Sequence, residues 1–263
     1  MGEDKGVMLR IENVAHSYHV GESMQEVLKG LSFDVPESSF VIIFGPSGSG
    51  KSTLLNILSG LLKPMEGKLM FRGTDLYSLN PEQVAGFRAK TLGRVYQTSY
   101  WVKSLKVVEN VSLPLYFSGW SKRSAQEQAI KYLKQIGMDK YAHKYPTQLS
   151  GGEQQRVSMA RGLVADPDFI VADEPTGNLD TMSSDMVMST LQGCKAEFNK
   201  TIILVTHDLR YLPMGDIVYE LQDGRLVNGG ASVTQSPDKR NVAKRFSSLA
   251  QEKSAKQGAG QEK

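Results

Sequence analysis

Nine consecutive residues, 45–53, have the types and the spacing that bind a phosphate group. Their sequence, GPSGSGKST, fits the pattern G-x-x-x-x-G-K-[ST], in which backbone N–H groups of a glycine-rich turn converge on phosphate oxygens. Lys51 is placed to reach the β- and γ-phosphates, and Ser52 to offer its hydroxyl to Mg²⁺. The other candidate contacts are Gly45, Ser47, Gly48, Ser49, Gly50 and Thr53. We therefore predict a nucleotide site, against the alternative of a chance match in a flexible loop.

Two adjacent carboxylates, Asp173 and Glu174, follow the apolar run at residues 169–172. Strands of a parallel sheet end at one edge, so this pair is expected beside the phosphate loop. Asp173 is then placed to hold Mg²⁺ through water. Glu174 points to the other side, where it can polarise an attacking water as a general base. The alternative is a pair of solvated charges at the end of a strand.

A third polar stretch, LSGGEQQR at residues 149–156, has the signals of a capped helix start. Ser150 and Glu153 have the spacing of a capping box, in which each side chain bonds the other residue's backbone N–H. Gly151 and Gly152 lower helix propensity in the first turn, which is consistent with a backbone that approaches a ligand closely. Free amides at a helix N-terminus bind anions, so this stretch is a second candidate phosphate contact. An ordinary cap with flexible glycines is the alternative.

Three short runs that are apolar throughout must position these groups, at residues 40–44, 169–172 and 202–205. Such runs are typical of strands buried on both faces of a parallel sheet. The first run leads into the phosphate loop, and the pattern of a helix follows that loop. The phosphate loop is therefore expected between a buried strand and a helix N-terminus.

Other segments alternate between polar and apolar residues, as half-buried antiparallel strands do, or repeat with the period of a helix. The alternating segments are 7–35 and 67–73, the helical ones are 81–92 and 121–136, and an Asp-Gly pair at 223–224 predicts a hairpin. The fold class is therefore α/β. We expect a parallel-sheet core, an antiparallel β portion and a mainly helical insert at about residues 98–165.

Charge is distributed unevenly along the 263 residues, whose formal net charge is +3. Residues 231–263 hold seven Lys and Arg against three Asp and Glu, whereas the rest of the chain is close to neutral. The near-neutral part argues against nucleic acid as a partner. The tail is predicted to be basic and disordered, and a short amphipathic helix around Val242, Phe246 and Leu249 is the alternative to a solvated extension.

A single cysteine, Cys194, allows no disulfide within the chain and suggests a reducing compartment. None of the apolar runs approaches the ~20 residues that a bilayer requires. The charged residues of 1–13 do not resemble a secretory signal. Any role at a membrane is therefore expected to go through a partner.

The stretch at 149–156 resembles the signature motif of ATP-binding-cassette (ABC) ATPases, and other family motifs occur in the expected order over roughly residues 8–228. The resemblance implies a P-loop NTPase (RecA-like) parallel-sheet core with an antiparallel β subdomain and a helical subdomain. It implies one ATP-binding domain at 1–230, followed by the tail at 231–263. ATP and Mg²⁺ are the implied cofactors.

The resemblance also assigns roles to residues outside the three stretches. Gln97 matches a glutamine that senses Mg²⁺ and the membrane partner, and Tyr18 matches an aromatic ring that packs on adenine. His207 matches a histidine that contacts the γ-phosphate, and Asp180 matches a loop that crosses a dimer interface. For Tyr18, a half-buried aromatic without a ligand remains the alternative.

Finer details resemble one group within the family, the lipoprotein-releasing and macrolide-export type of ATP-binding subunit. The sequence ADEPTGNLD at 172–180 carries most of this likeness. The sequence Tyr-Trp-Val-Lys at 100–103 differs from the sequence that is typical of this group. In the group, this segment lines the groove that receives the coupling helix of a membrane partner. Trp101 is either an exposed anchor in that groove or a core aromatic of the helical insert.

The resemblance implies an ATPase subunit that dimerises around two ATP on the cytoplasmic face of the cell membrane and drives a separate transmembrane permease. Export or extraction of a lipid, lipoprotein, peptide or drug is the expected activity. A regulatory ATPase that signals through a membrane partner without transport, as in cell-division relatives, is the alternative. A soluble nucleic-acid or ribosome ATPase is less consistent with the single cassette and the absence of long coiled-coil patterns.

Overall fold

The computed structural model describes residues 6–232 as two β-sheets surrounded by helices. The strands are β1 (Val7–Val20), β2 (Ser23–Pro36), β3 (Phe40–Phe44), β4 (Glu66–Phe71), β5 (Thr74–Asp75), β6 (Leu92–Val95), β7 (Phe169–Asp173), β8 (Thr201–Thr206), β9 (Ile217–Gln222) and β10 (Arg225–Ser232). The helices are α1 (Lys51–Leu58), α2 (Pro81–Thr91), α3 (Val107–Phe117), α4 (Lys122–Gln135), α5 (Gly151–Leu163) and α6 (Thr181–Phe198). The candidate amphipathic segment of the tail lies outside the described residues.

The larger sheet has six strands in the order β10-β9-β3-β8-β7-β6. Five of these strands run parallel to one another, namely β9, β3, β8, β7 and β6, and β10 pairs antiparallel with β9 at the edge. The three apolar runs of the sequence form β3, β7 and β8 at its centre, which confirms the prediction of a parallel core. The hairpin between β9 and β10 turns at Asp223 and Gly224, both of which have positive φ, as a type I′ turn requires.

Each central strand contributes to two separate hydrophobic clusters, because successive side chains point to opposite faces of the sheet. Phe40, Ile42 and Phe44 of β3 join the cluster that includes α3, α5 and α6. Val41 and Ile43 join the cluster on the other face, which includes α1 and the smaller sheet. Burial on both faces explains why these strands are apolar at every position.

The smaller sheet is antiparallel, with the strand order β2-β1-β4-β5. Along β1, buried residues such as Leu9 and Ile11 alternate with more exposed ones, as the sequence pattern predicted. The pairing of β1 with β2 contains several register shifts, including one between Ile11 and Val14. Such shifts mark β-bulges or other irregularities, which interrupt the ladder between the two strands.

Helices α3, α4 and α5 pack against one another in the region where a helical insert was expected. Asn110 of α3 is completely buried and ties down the preceding loop. Its Oδ1 accepts a hydrogen bond from Val102 N at 3.0 Å, and its Nδ2 donates to the carbonyls of Val102, Leu105 and Lys106. Among residues 6–232, no helix is both long enough and apolar enough to cross a membrane.

Candidate active site

The phosphate loop joins the end of β3 to the start of α1 at Lys51. Gly48 and Gly50 have φ values of +79° and +101°, which favour glycine. A methyl group at Gly50 would also lie 2.8 Å from Leu28 Cδ2 and 2.9 Å from Val27 O. No side chain caps α1, and its first turn contains no acidic residue. The free amides at this N-terminus therefore suit an anion.

Lys51 is buried over the loop that it terminates. Its Nζ donates hydrogen bonds to Gly45 O at 2.9 Å and to Pro46 O at 2.7 Å. Burial lowers the pKa of this ammonium, while the charges of Glu174 and Asp173 act in the opposite direction. The lysine is thus held by two loop carbonyls and lies within the electrostatic reach of both carboxylates at the end of β7.

Asp173 and Glu174 lie at the carboxyl end of β7, next to the end of β8. Burial raises the pKa of Asp173, and the positive charge of Arg94 opposes that shift. Glu174 has a φ of +42°, an uncommon backbone conformation for a residue with a side chain. Its N–H donates to Val205 O at 2.9 Å, which fixes this turn to the neighbouring strand.

His207 follows β8 and faces the carboxylate of Glu174. Its Nδ1 lies 3.1 Å from Glu174 Oε2, and 62% of the His207 side chain is exposed. Since β7 and β8 are parallel, with Asp173 paired to Val205, both residues emerge at one sheet edge. The structure therefore brings together a carboxylate and an imidazole that the sequence separates by more than thirty positions.

Gln97 and Tyr18 reach the same region from two other elements. Gln97 follows β6, and its Nε2 lies only 2.6 Å from where a methyl group at Gly177 would be. Its amide is thus packed on the turn that begins at Glu174. The hydroxyl of Tyr18, at the far end of β1, is 3.4 Å from Thr53 Oγ1 in the first turn of α1. The Tyr18 ring is 40% exposed beside the phosphate loop.

Ser150 and Glu153 form the predicted capping box at the start of α5. Ser150 N donates to Glu153 Oε2 at 2.8 Å, and Glu153 N donates to Ser150 Oγ at 3.4 Å. Hydrogen bonds from the Tyr141 hydroxyl and then from Ser150 hold the pKa of Glu153 below its usual range. Within residues 6–232, no hydrogen bond or ion pair links residues 150–153 to residues 45–53.

Asp180 caps α6 directly beside this turn. It accepts hydrogen bonds from Ser183 N at 2.9 Å and from Ser183 Oγ at 2.7 Å, and these bonds lower the pKa of Asp180. Gly152 lies so close to α6 that an added methyl group would be 2.7 Å from Ser183 Cβ. A methyl group at Gly151 would meet Leu179 at 3.3 Å. The N-termini of α5 and α6 therefore pack as one unit.

Comparison with known proteins identifies this arrangement. A family model described as "ABC transporter" matches residues 28–177. The chain is 41% identical over 221 residues to the lipoprotein-releasing system ATP-binding protein LolD of Legionella pneumophila (strain Paris), covering 84% of this chain and 97% of LolD. The chain belongs to the ABC transporter ATP-binding family. The predicted fold class and family resemblance are thereby confirmed.

Two further relatives extend this result. The cassette is 36% identical over 248 residues to the macrolide export ATP-binding/permease protein MacB of Hyphomonas neptunium, covering 93% of this chain but 38% of MacB. A solved dimeric structure of the MJ0796 ABC transporter cassette superposes with a TM-score of 0.79 at 36% identity, covering 86% of this chain and 99% of that one. Another structure of MJ0796 is a post-hydrolysis state bound to ADP and Pi.

The segment after Gln97 in this ABC cassette is tied to α5 by contacts that the sequence did not reveal. Gln155 Nε2 donates to Tyr96 O at 2.8 Å, and Ser99 Oγ donates to Gln155 Oε1 at 3.0 Å. Trp101 Nε1 donates to Gln154 Oε1 at 2.9 Å. Trp101 is half-buried and packs against the helical core, between the exposed and the core position that the sequence left open. The types and spacing of Ser99 and Trp101 carry no signal of their own for such contacts.

Arg94 is a further residue that sequence reasoning missed. It lies on β6, and its Nη2 donates to Asn56 Oδ1 of α1 at 2.9 Å. Its guanidinium stacks on the Tyr96 ring at 4.5 Å from the ring centroid. Arg94 therefore connects Asp173, through its charge, with the helix that carries Lys51. The direction in which a long arginine extends from a strand cannot be inferred from spacing.

Proposed function

We propose that this cassette is the ATP-hydrolysing subunit of a membrane exporter or extractor, and that it works as a homodimer around two ATP molecules. One observation supports the proposed ATP hydrolysis. The uncapped N-terminus of α1, the Lys51 ammonium, Asp173 and the Glu174–His207 pair all meet at one edge of the parallel sheet. This set provides an anion cradle, a cation, a metal ligand and a general base.

The oxygen groups near α1 fit Mg²⁺. Ser52 is exposed in the first turn of α1, and Asp173 supplies a carboxylate at the end of β7. Among residues 6–232 there is no cluster of three or more acidic, His or Cys side chains that would hold a metal without a substrate. Mg²⁺ commonly takes its other ligands from phosphates and water, and Gln97 is placed to contribute an amide oxygen. When bound, Mg²⁺ would neutralise charge on the β- and γ-phosphates.

The roles in ATP hydrolysis are then assigned to the remaining residues. Lys51 and the α1 amides hold the phosphates and stabilise the charge that develops on them. Glu174 orients the attacking water and accepts its proton, and His207 is positioned to contact the γ-phosphate. Tyr18 covers the adenine side of the site, where its exposed ring can stack on a base.

The second half of each site is proposed to come from another copy of the chain. The capped turn 150–153 presents free amides but makes no polar link to the phosphate loop of its own chain. In a dimer it can close over the γ-phosphate bound by the partner, with Asp180 crossing the interface. The dimeric structure of MJ0796 supports this arrangement. ATP binding would then close the dimer, and hydrolysis would let it reopen.

Because no membrane-spanning helix is found within residues 6–232, the motion is proposed to act on a separate transmembrane permease from the cytoplasmic face of the membrane. The names of LolD and MacB favour lipoprotein release or export over regulatory signalling. The domain limits 1–230 and 231–263, with helices at about 98–165, remain part of the proposal.

A Glu174→Gln substitution tests the general base and the dimer together. We expect ATP binding to persist, turnover to fall by roughly 10²–10⁴-fold, and a dimer to accumulate with ATP, because the water is no longer activated. Steady-state phosphate release and size-exclusion chromatography with ATP measure both effects. Glu127→Gln, an exposed change on α4, is the matched control. Wild-type turnover in Glu174→Gln would show that the base is assigned wrongly.

A further inference from the structure

The hairpin turn between β9 and β10, at Asp223 and Gly224, lies against the phosphate loop. Gly224 N donates a hydrogen bond to Ser49 O at 3.2 Å, although most of the chain separates the two residues. Ser49 is buried, so the bond joins the turn to the interior of the loop. The carbonyl of Ser49 is therefore held by a residue outside the nine-residue phosphate-binding sequence.

Strand β2 holds the other side of the same turn. Lys29 N donates a hydrogen bond to Gly224 O at 2.9 Å, so Gly224 bridges β2 and the phosphate loop. A methyl group at Gly224 would lie closer to Val27 O than the 3.0 Å that real Cβ atoms keep, and a methyl group at Gly50 would lie 2.9 Å from that same oxygen. The turn, β2 and the phosphate loop therefore meet at one backbone junction that has no room for a side chain.

The strand that leads into this turn contacts the start of the phosphate loop. A methyl group at Gly45 would overlap Leu221 O of β9. Strand β9 is also a parallel neighbour of β3, whose last residue, Phe44, directly precedes the loop. One hairpin thus contacts the loop at its first residue and again at Ser49.

The hydrogen bond to Ser49 O also sets the direction of the next amide. The carbonyl of Ser49 and the N–H of Gly50 belong to one planar trans peptide unit, in which the two groups point in opposite directions. A carbonyl that is turned towards the hairpin therefore turns the Gly50 N–H away from it. Since N–H groups of such a loop converge on phosphate oxygens, the bond from Gly224 fixes the orientation of a candidate phosphate donor.

We propose that Gly224 is a positioning residue for ATP binding, because it holds Ser49 O and so keeps the Gly50 N–H directed at the phosphates. This inference rests on the proposed function, which places ATP on the loop. Gly224 is also bonded to β2, and β2 pairs with the strand that carries Tyr18. The phosphate side and the adenine side of the proposed site therefore share one backbone junction.

A second hairpin turn provides a matched control. Arg72 and Gly73, between β4 and β5, have φ values of +45° and +82°, and Asp223 and Gly224 have +49° and +77°. Among residues 6–232, nothing would lie within 4 Å of a methyl group at Gly73. Alanine in either turn meets the same left-handed backbone, but only alanine at Gly224 also disturbs the phosphate loop.

The first test compares Gly224→Ala with Gly73→Ala by calorimetry with ATP and by steady-state ATPase kinetics. We expect Gly224→Ala to weaken ATP binding by roughly 10-fold and to raise KM by a similar factor, because a binding amide is misdirected. Gly73→Ala should keep the wild-type affinity and KM. A merely structural role of Gly224 would lower Tm and the active fraction of the protein, and it would leave KM unchanged.

The second test uses amide hydrogen exchange in the wild-type chain, so it does not depend on the folding of a variant. Gly224 N–H is bonded to the loop, whereas Arg72 N–H donates to Met8 O at 2.9 Å in the control turn. With Mg-ADP at about ten times its Kd, exchange at Gly224 should slow by about 10-fold, because opening of this turn then requires release of the nucleotide. Exchange at Arg72 should slow much less.

Each other outcome is decisive. Equal affinity and KM in Gly224→Ala and Gly73→Ala, or equal slowing at the two amides, would overturn the positioning role and leave the ATPase in place. If Gly224→Ala does not fold, the exchange comparison alone decides. If Lys51→Ala binds ATP as tightly as the wild type, the phosphate loop of the proposed function fails, and this inference fails with it.

Discussion

Replacing Gly152 by alanine tests whether the N-termini of α5 and α6 are held together as the structure indicates. The added methyl group would lie 2.7 Å from both Cβ and Oγ of Ser183, and 3.6 Å from its Cα. Real Cβ contacts are essentially never shorter than 3.0 Å. Because the obstructing Cβ is attached directly to the α6 backbone, a side-chain rotation cannot relieve the contact, and one of the helices must move.

Two opposing effects determine how much Gly152→Ala changes the free energy of unfolding. Alanine is favoured over glycine within a helix by about 1 kcal/mol. Overpacking of a close contact costs about 1–3 kcal/mol. We expect the contact to prevail, with a net loss of up to about 2 kcal/mol and a decrease in Tm of up to roughly 8 °C for a chain of this size. ATP hydrolysis should fall further than ATP affinity, since the capped turn is displaced while the phosphate loop is untouched.

Thermal unfolding and steady-state ATPase assays measure these effects. Gly193→Ala in α6 is the matched control, because its methyl group would meet nothing within 4 Å. That variant should gain about 0.5–1 kcal/mol from propensity alone. Ser183→Gly combined with Gly152→Ala should lose less than the sum of the two single changes, because the obstruction has been removed. The reasoning is refuted if Gly152→Ala raises Tm as Gly193→Ala does, or if the double variant is simply additive.

Three other substitutions give further tests. Lys51→Ala removes an ammonium held over the phosphate loop, and we expect ATP affinity by calorimetry to fall by about 10- to 100-fold; unchanged affinity would count against its role. Asn110→Ala leaves Val102 N and nearby carbonyls unpaired in a buried position, so urea unfolding should show a loss of about 2–3 kcal/mol, whereas a neutral effect would contradict the tethering role. Because the pKa of Glu153 is lowered in the folded state, its carboxylate adds to the free energy of unfolding. This contribution is complete above the ordinary glutamate pKa of about 4.3 and is lost as the pH falls through the folded-state pKa. Glu153→Gln keeps an acceptor without that titration, so its acid unfolding by circular dichroism should be less pH-dependent than that of the wild type, and an identical profile would refute the assignment.

The parts of the fold that depend on local pattern were predictable from the sequence. The apolar runs that became β3, β7 and β8 reflect a sheet that is covered on both faces, and their short length and flanking turn residues favour strands over helices. The turn at 223–224 needs two residues with positive φ, which Asp-Gly supplies. The capping box at Ser150 depends on residues three positions apart, so its geometry is also local.

Features that depend on long-range packing could not be predicted in this way. The irregular register between β1 and β2, and the approach of Tyr18 to within 3.4 Å of Thr53, join residues that are distant in the sequence. The contact between Gly152 and Ser183 joins residues that are separated by a whole strand and loop. The half-buried position of Trp101 depends on Gln154 and Arg161, which approach it only after α5 packs.

Because β3 is divided between two hydrophobic clusters, its adjacent isoleucines report separately on the packing on the two sides of the sheet. The methyl groups of Ile42 are surrounded by the layer that contains the helices, and those of Ile43 by the layer that contains the smaller sheet. Methyl relaxation at these neighbouring positions would therefore distinguish a loosening of one layer from a loosening of the other. A motion of the helical layer alone should alter the Ile42 signal and leave that of Ile43 in place.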